Sequence, residues 1–223
     1  NSTYGFPAGF AVNLPSGGSS YPYAALGVRL RYQPSDKFWI MSTVFDGDPA
    51  HTSLGGVPNF QTGLRDRGGV AFRLKDAPLW ITEASVIYNN DKDNKAALPG
   101  TVHVGYLHHF DKFQAFNVPP DVTTTYRGND GAYLMIDQSI YREKDKDDGA
   151  SVFARVMGSP ADRNLIDFYV DAGIAYQGLL PGRDQHTVGI TGAYRHIPRA
   201  VPPPDLASAS APPPPTYPRP LPA

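Results

Sequence analysis

The chain has 223 residues, with Lys+Arg 20 against Asp+Glu 21 and a formal net charge of -1. Such a balance excludes the basic excess with which a nucleic-acid binder holds phosphates. No cysteine is present, so neither a disulfide framework nor a thiolate zinc site is available. Hydrophobic residues make up 41% of the chain, yet no window approaches the roughly 18 consecutive apolar residues of a membrane helix.

Asn1 to Phe10 lacks a basic stretch followed by an apolar one, so it does not read as a signal peptide. Either a leader has been removed or the chain begins inside a larger gene product, and the character of the C-terminal residues makes the second the expectation. Residues 1–23 are rich in Gly, Ser and Pro and read as a surface loop. From Ala24 to Gln33 apolar and polar residues alternate: Leu26, Val28, Leu30 and Tyr32 form one face, Gly27, Arg29 and Arg31 the other. Pro34-Ser35-Asp36 is a tight turn into a second strand, Lys37 to Asp46, with Trp39, Met41 and Phe45 along one side. So short a connection makes the pair an antiparallel hairpin.

Gly47 to Gly68 is a long polar loop, Val70 to Leu74 a short strand, and Lys75 to Pro78 a turn. Leu79 to Asn89 alternates again, with Trp80, Ala84, Val86 and Tyr88 opposed to Glu83 and Ser85. After the charged loop Asn90 to Pro99, the strand Gly100 to Phe110 sets Val102, Val104 and Tyr106 against His103 and Gly105. Asp111 to Asn129 reads as a second long loop. In the strand Gly131 to Tyr141, Leu134, Ile136 and Ile140 oppose Asp137 and Ser139. Glu143 to Gly149 is a charged loop; Val152, Ala154 and Val156 then oppose Arg155, and Gly158 to Arg163 is a turn.

The clearest alternation runs from Asn164 to Gln177. Ile166, Phe168, Val170, Ala172, Ile174 and Tyr176 hold the even positions; Asp167, Tyr169, Asp171, Gly173 and Gln177 hold odd ones. A helix turns about 100° per residue and would scatter these side chains around its circumference. The stretch is also longer than the roughly 5–6 residues of a soluble strand. It suffices for the roughly 9–11 tilted residues that cross a bilayer. A loop, Gly178 to Asp184, leads to a last strand marked by Val188, Ile190 and Tyr194. About nine strands without a helix thus read as an all-β, antiparallel, up-and-down transmembrane β-barrel over residues 24–197. Short turns and longer loops mostly alternate, except at Asp111 to Asn129. Tyr 13 and Phe 11 supply rings for interfacial girdles, although a β-sandwich core would use them too. Residues 198–223, with proline runs at Pro202 to Pro204 and Pro212 to Pro215, read as a disordered tail. An odd number of strands ending in that tail cannot close a barrel, so the barrel is expected to be incomplete.

Several short blocks resemble the carbohydrate-selective porins of the bacterial outer membrane, the OprB type. They are Tyr21-Pro22 with Gly27-Val28-Arg29-Leu30, Phe45-Asp46-Gly47-Asp48-Pro49, Leu98-Pro99-Gly100, Asp137-Gln138 with Tyr141-Arg142, Ser159-Pro160-Ala161-Asp162-Arg163-Asn164, and Gly178-Leu179-Leu180-Pro181-Gly182-Arg183. Each is weak alone; their order is the specific feature. The resemblance implies the later portion of a barrel of about sixteen strands that passes sugars such as glucose by diffusion. It implies sugars (mono- or oligosaccharides) and outer-membrane lipid as partners, no nucleic acid and no cofactor. It leaves open whether copies of the chain associate.

In a wide barrel the polar faces look into a watery channel. The lumen candidates are Arg29, Arg31, Glu83, His103, Asp137, Arg155, Asp167 and Asp171. Facing cations and carboxylates can hydrogen-bond a neutral sugar without trapping it, but any one of these residues reads first as a wall charge solvated by lumen water or paired across strands. Phe60, Phe116 and Tyr126 could offer rings to sugars, or pack within their loops. Asp46 and Asp48 read as turn formers, while Asp91-x-Asp93 and Asp145-x-Asp147-x-Gly149 lack the full ligand set of a calcium loop.

Enzyme readings fare worse. His108 and His109 adjoin on a strand, so they point to opposite faces and cannot share a metal. Glu83 with Asp137 has the composition of a glycosidase pair, but nothing in the sequence sets their separation. No nucleophile elbow, Walker loop or dinucleotide fingerprint occurs. The rival to a porin is a soluble all-β binding or adhesive domain, whose apolar faces would meet in a dry core.

Overall fold

The alternating stretches become eight strands in a computed structural model that describes residues 8–18, 25–49, 77–90, 97–116, 124–143, 149–179 and 186–198. The strands are β1 (Gly27–Ser35), β2 (Phe38–Asp46), β3 (Pro78–Tyr88), β4 (Gly100–Gln114), β5 (Thr125–Arg142), β6 (Gly149–Gly158), β7 (Phe168–Gln177) and β8 (Thr187–His196). They form one open antiparallel sheet in chain order, β1 to β8. The end at which β1 turns into β2 is here the near end; the end where β6 passes into β7 is the far end.

Register separates the two faces. Arg31 lies opposite Met41, Met41 opposite Glu83, Glu83 opposite Gly105, and Gly105 opposite Tyr133. The row continues through Met157 and Tyr169 to Arg195. All odd-numbered positions in register with it share one face. The other face carries Val28, Leu30, Ile40, Val44, Val86, Val104, Leu134, Ile136, Ile174 and Ile190. Leu30 is 74% exposed and Ile190 78% exposed, so no protein layer covers this face there. A β-sandwich would need a second sheet on these side chains, and the described residues form only one sheet.

Rings border the apolar face at both ends. Tyr32, Tyr88, Tyr141 and Tyr176 stand at the near end; Trp80, Tyr106, Phe110, Phe168 and Tyr194 stand at the far end. Neighbours touch within each belt, with ring centroids 5.8 Å apart for Trp80–Tyr106 and 6.2 Å for Tyr141–Tyr176. From Trp80 to Tyr88, as from Phe168 to Tyr176, the strand covers about 27 Å at ~3.4 Å per residue. Tilted by about 45°, that is about 20 Å of membrane depth. Between the belts no described outward residue is charged. An apolar band between two aromatic girdles is the pattern that membrane barrels carry on their lipid-facing side.

The opposite face carries the buried core. Met41, Leu79, Ile81, Leu107, Tyr133 and Met157 cluster there with Leu14 and Ile166, and Trp39, Phe45 and Tyr169 pack against them. Trp39, Met41 and Phe45 are therefore inward residues of β2, on the side of Arg29 and Arg31, and the outward apolar residues of this strand are Ile40 and Val44.

Eight of the nine expected strands are present; the ninth, Val70 to Leu74, lies outside the described residues, as do residues 199–223. Three expectations need correction. The strand expected from Asn164 begins at Phe168. Asn164 is drawn inward instead, where its amide pairs reciprocally with Asn129 at 2.7 and 2.8 Å, and Ile166 joins the core at 3% exposure. The loop Asp111 to Asn129 is shorter than expected, because β4 and β5 continue pairing past an irregularity between His109 and Lys112. Lastly, within the expected surface loop, residues 8–18 form two 3-10 turns, Ala8–Asn13 and Pro15–Gly17. Asn13 and Leu14 are buried there, packed on the inner face rather than lying over the surface.

Candidate functional site

The inward side chains fall into transverse rows set two residues apart, about 7 Å. One row runs Arg31, Met41, Glu83, Gly105, Tyr133, Met157, Tyr169, Arg195. The next toward the near end runs Trp39, Ser85, His103, Met135, Arg155, Asp171, Ala193. The third runs from Thr101 through Asp137, Phe153 and Gly173 to Thr191. Arg31, Glu83, His103, Asp137, Arg155 and Asp171 thus stand in one belt across seven strands. Arg29, opposite Thr43, lies one row further toward the far end. Asp167 is outside the belt: it precedes β7, and its carboxylate takes a 2.6 Å contact from His196 Nδ1 at the far edge.

Small residues let large ones reach across strands. Tyr133 lies over Gly105, where a Cβ would fall on its ring, and so its hydroxyl donates to Glu83 Oε2 at 2.5 Å. Glu83 is 2% exposed, and a carboxylate so enclosed requires such donors. His103 Nδ1 sits 3.3 Å from Glu83 Oε1, within ion-pair range but outside hydrogen-bond geometry. Across buried Ser85, Trp39 meets the His103 ring edge-on at 5.6 Å. The Arg31 guanidinium in turn covers the Trp39 ring at 4.7 Å, an attraction of cation and ring face. One chain of contacts thus links β1 to β5.

The second half of the belt is an ion pair. Arg155 Nε donates to both oxygens of Asp171, at 2.9 and 3.1 Å, and its NH2 nitrogen closes a bidentate contact with Oδ2. The two residues oppose each other directly on β6 and β7. Phe153, beside Arg155 at 5.7 Å, lies over Gly173, where a Cβ would come 2.6 Å from its ring.

The remaining candidates have local duties. Tyr126 is stacked under Arg163 at 4.3 Å, and the Asp162 carboxylate beside Arg163 holds that guanidinium above its usual pKa. Asp46 accepts the Asp48 N–H at 3.3 Å, the geometry of a turn former. His108 and His109 part to opposite faces: His108 bonds Asp130 at 2.7 Å. His109 is fully buried, with Nε2 on the Gly47 carbonyl at 3.0 Å and Nδ1 accepting the Asp111 N–H at 3.2 Å. That pattern fixes the neutral tautomer protonated at Nε2. Phe60, Asp91, Asp93, Asp145 and Asp147 lie outside the described residues. Among the described residues no group of three or more His, Cys, Asp or Glu is placed to hold a metal. Glu83 and Asp137 are separated by two strands and four residues, about 10 Å across and about 14 Å along, too far for a glycosidase pair of about 5–10 Å.

The sheet thus carries an apolar band on one face and a belt of opposed charges on the other. The sequence pattern of the carbohydrate-selective porin, OprB family, matches residues 1–214. The chain belongs to that family. The solved structure of Pseudomonas putida OprB at high pH shares its fold, with a TM-score of 0.64 at 17% identity over 80% of this chain. The match spans 41% of the P. putida chain, so the eight strands correspond to part of the OprB barrel. Comparison with the curated proteins finds no significant match. The belt lies on the face opposite the apolar band. Four belt residues escape a reading strand by strand: Trp39, Tyr133, Tyr169 and Arg195. Trp39 and Tyr133 are aromatic and resemble core, Tyr169 falls on the polar face but carries no charge, and Arg195 sits one residue beyond the last apolar marker, Tyr194.

Proposed function

We propose that the chain forms part of the wall of an outer-membrane porin through which sugars diffuse down their gradient, without a cofactor. The observation that carries this reading is the opposition of the two faces of one sheet, greasy and girdled outside, polar and paired inside. The belt is also balanced: Arg31, Arg155 and Arg195 offset Glu83, Asp137 and Asp171. A wall without net charge neither concentrates nor repels ions strongly, while its donors and acceptors remain available to hydroxyl groups. Arg29 adds one further cation toward the far end. Rings at Trp39 and Tyr169 lie among these charges and offer apolar faces to a pyranose.

The test is conductance of the reconstituted protein in a planar bilayer, with and without glucose. A sugar-dependent fall in current is expected. Current that is indifferent to glucose would leave a general pore, and absence of current would remove the porin reading. The rival reading as a soluble all-β domain predicts a protein that stays monodisperse without detergent.

A further inference from the structure

A wall that meets lumen water has no reason to be apolar, yet part of this inner face is. At the far end its inward residues include Met41, Leu79, Ile81, Leu107 and Met157, each no more than 3% exposed. Among the described residues, Leu14 and Ile166 join them in one buried cluster from outside the strands. Residues 8–18 therefore lie against the wall on the same side as the charged belt.

They are also fastened there. Asn13 clamps Ile166 as a neighbouring strand would: its Nδ2 donates to the Ile166 carbonyl at 2.7 Å, and its Oδ1 accepts the Ile166 N–H at 3.1 Å. Asn129 Nδ2 donates to the Asn13 carbonyl at 3.2 Å and to Asn164 Oδ1 at 2.7 Å. Asn164 Nδ2 donates back to Asn129 Oδ1 at 2.8 Å and to the Pro160 carbonyl at 2.8 Å. Asn13, Asn129 and Asn164 are 8%, 2% and 1% exposed. Buried amides are costly unless bonded, and a closed network of them specifies one arrangement of the parts it joins. The parts joined here are the 8–18 segment, the start of β5 and the turn before β7.

We infer that residues 8–18 are a fixed inward strap that narrows the far mouth of the pore, and that Asn13, Asn129 and Asn164 are the positioning residues that set the largest solute admitted. This rests on the porin reading above. Because the chain has no cysteine, a single introduced thiol can report on the strap. Val12, on the strap, is 42% exposed; Val86, on the outward band, is 48% exposed. A charged, water-soluble methanethiosulfonate should modify Val12→Cys and lower its conductance, and should leave Val86→Cys unmodified in the bilayer. In the second arm, Asn13→Ala with Leu14→Ala loosens the strap and leaves every wall residue intact. Conductance should rise, and longer glucose oligomers should enter; heat-dependent gel mobility verifies that the barrel folds. If the double variant does not fold, the thiol arm decides alone. A wild-type pore that responds to glucose, but is unchanged by Val12 modification and by strap loosening, overturns the strap while the porin reading stands. A wild-type protein that carries no current overturns both.

Discussion

Tyr133 reaches Glu83 only because Gly105 offers no side chain in between. Gly105→Ala should therefore displace the ring and cost about 1–3 kcal/mol, the usual penalty for overpacking. Denaturant unfolding in micelles, followed by fluorescence of the two tryptophans, measures it. The Arg155–Asp171 pair makes a different prediction. Asp171→Ala strips a bidentate partner from a guanidinium whose side chain is 33% exposed, so solvent softens the loss to about 1–2 kcal/mol. The same change leaves one uncompensated cation in the belt, and the reversal potential in a salt gradient should move toward anion preference. Glu83 was legible in the sequence as a polar-face residue, but its partner was not. Alternation along β3 says which way Glu83 points and nothing about what β5 sets within reach. Asp167 shows the same limit: odd parity puts it in line with Tyr169 and Asp171 but does not reveal its partner His196 on the adjoining strand.

Strands are where the sequence was most informative and where its errors have a common cause. Period-two alternation located β1, β7 and β8 most cleanly, because one face of each is apolar and the other is not. In β2 both faces are greasy, as Trp39, Met41 and Phe45 alternate with Ile40 and Val44, so pattern alone could not tell lipid from core. Register against Arg31 and Glu83 decides it. The extra length of β4 and β5 was hidden by Asp111, Lys112 and Arg127, which read as loop although they flank a paired irregularity. The sidedness can be tested on consecutive residues of β8. Gly192 faces outward, and a Cβ placed there would meet nothing within 4 Å, so Gly192→Arg introduces charge without a clash. In mid-membrane it should cost about 2–4 kcal/mol, seen as a lost heat-modifiable band or a lower unfolding midpoint. Ala193→Arg, one residue on and opposite Asp171, points into water and should leave folding unchanged.

At the scale of the molecule, the sheet is a segment of wall whose two surfaces meet different solvents. A closed barrel of eight strands is just filled by its own side chains, and an aqueous channel needs about 16–18. On the porin reading proposed above, the belt is therefore one arc of a lumen lining. Its balance of charge predicts weak ion selectivity, with cation and anion permeabilities within a few-fold of each other, checked by zero-current potentials in potassium chloride gradients. One feature of that arc governs how it can be assembled. Among the described residues β1 and β8 each have a strand on one flank only. In oil, every peptide N–H or C=O left on a bare flank costs several kcal/mol. A few of them would exceed the net stability of a typical domain, about 5–15 kcal/mol. A half-finished ribbon therefore has no path into hydrocarbon, however greasy its broad side. Both margins must be sewn to neighbouring strands as the polypeptide leaves water, so that zipping and insertion occur as a single event.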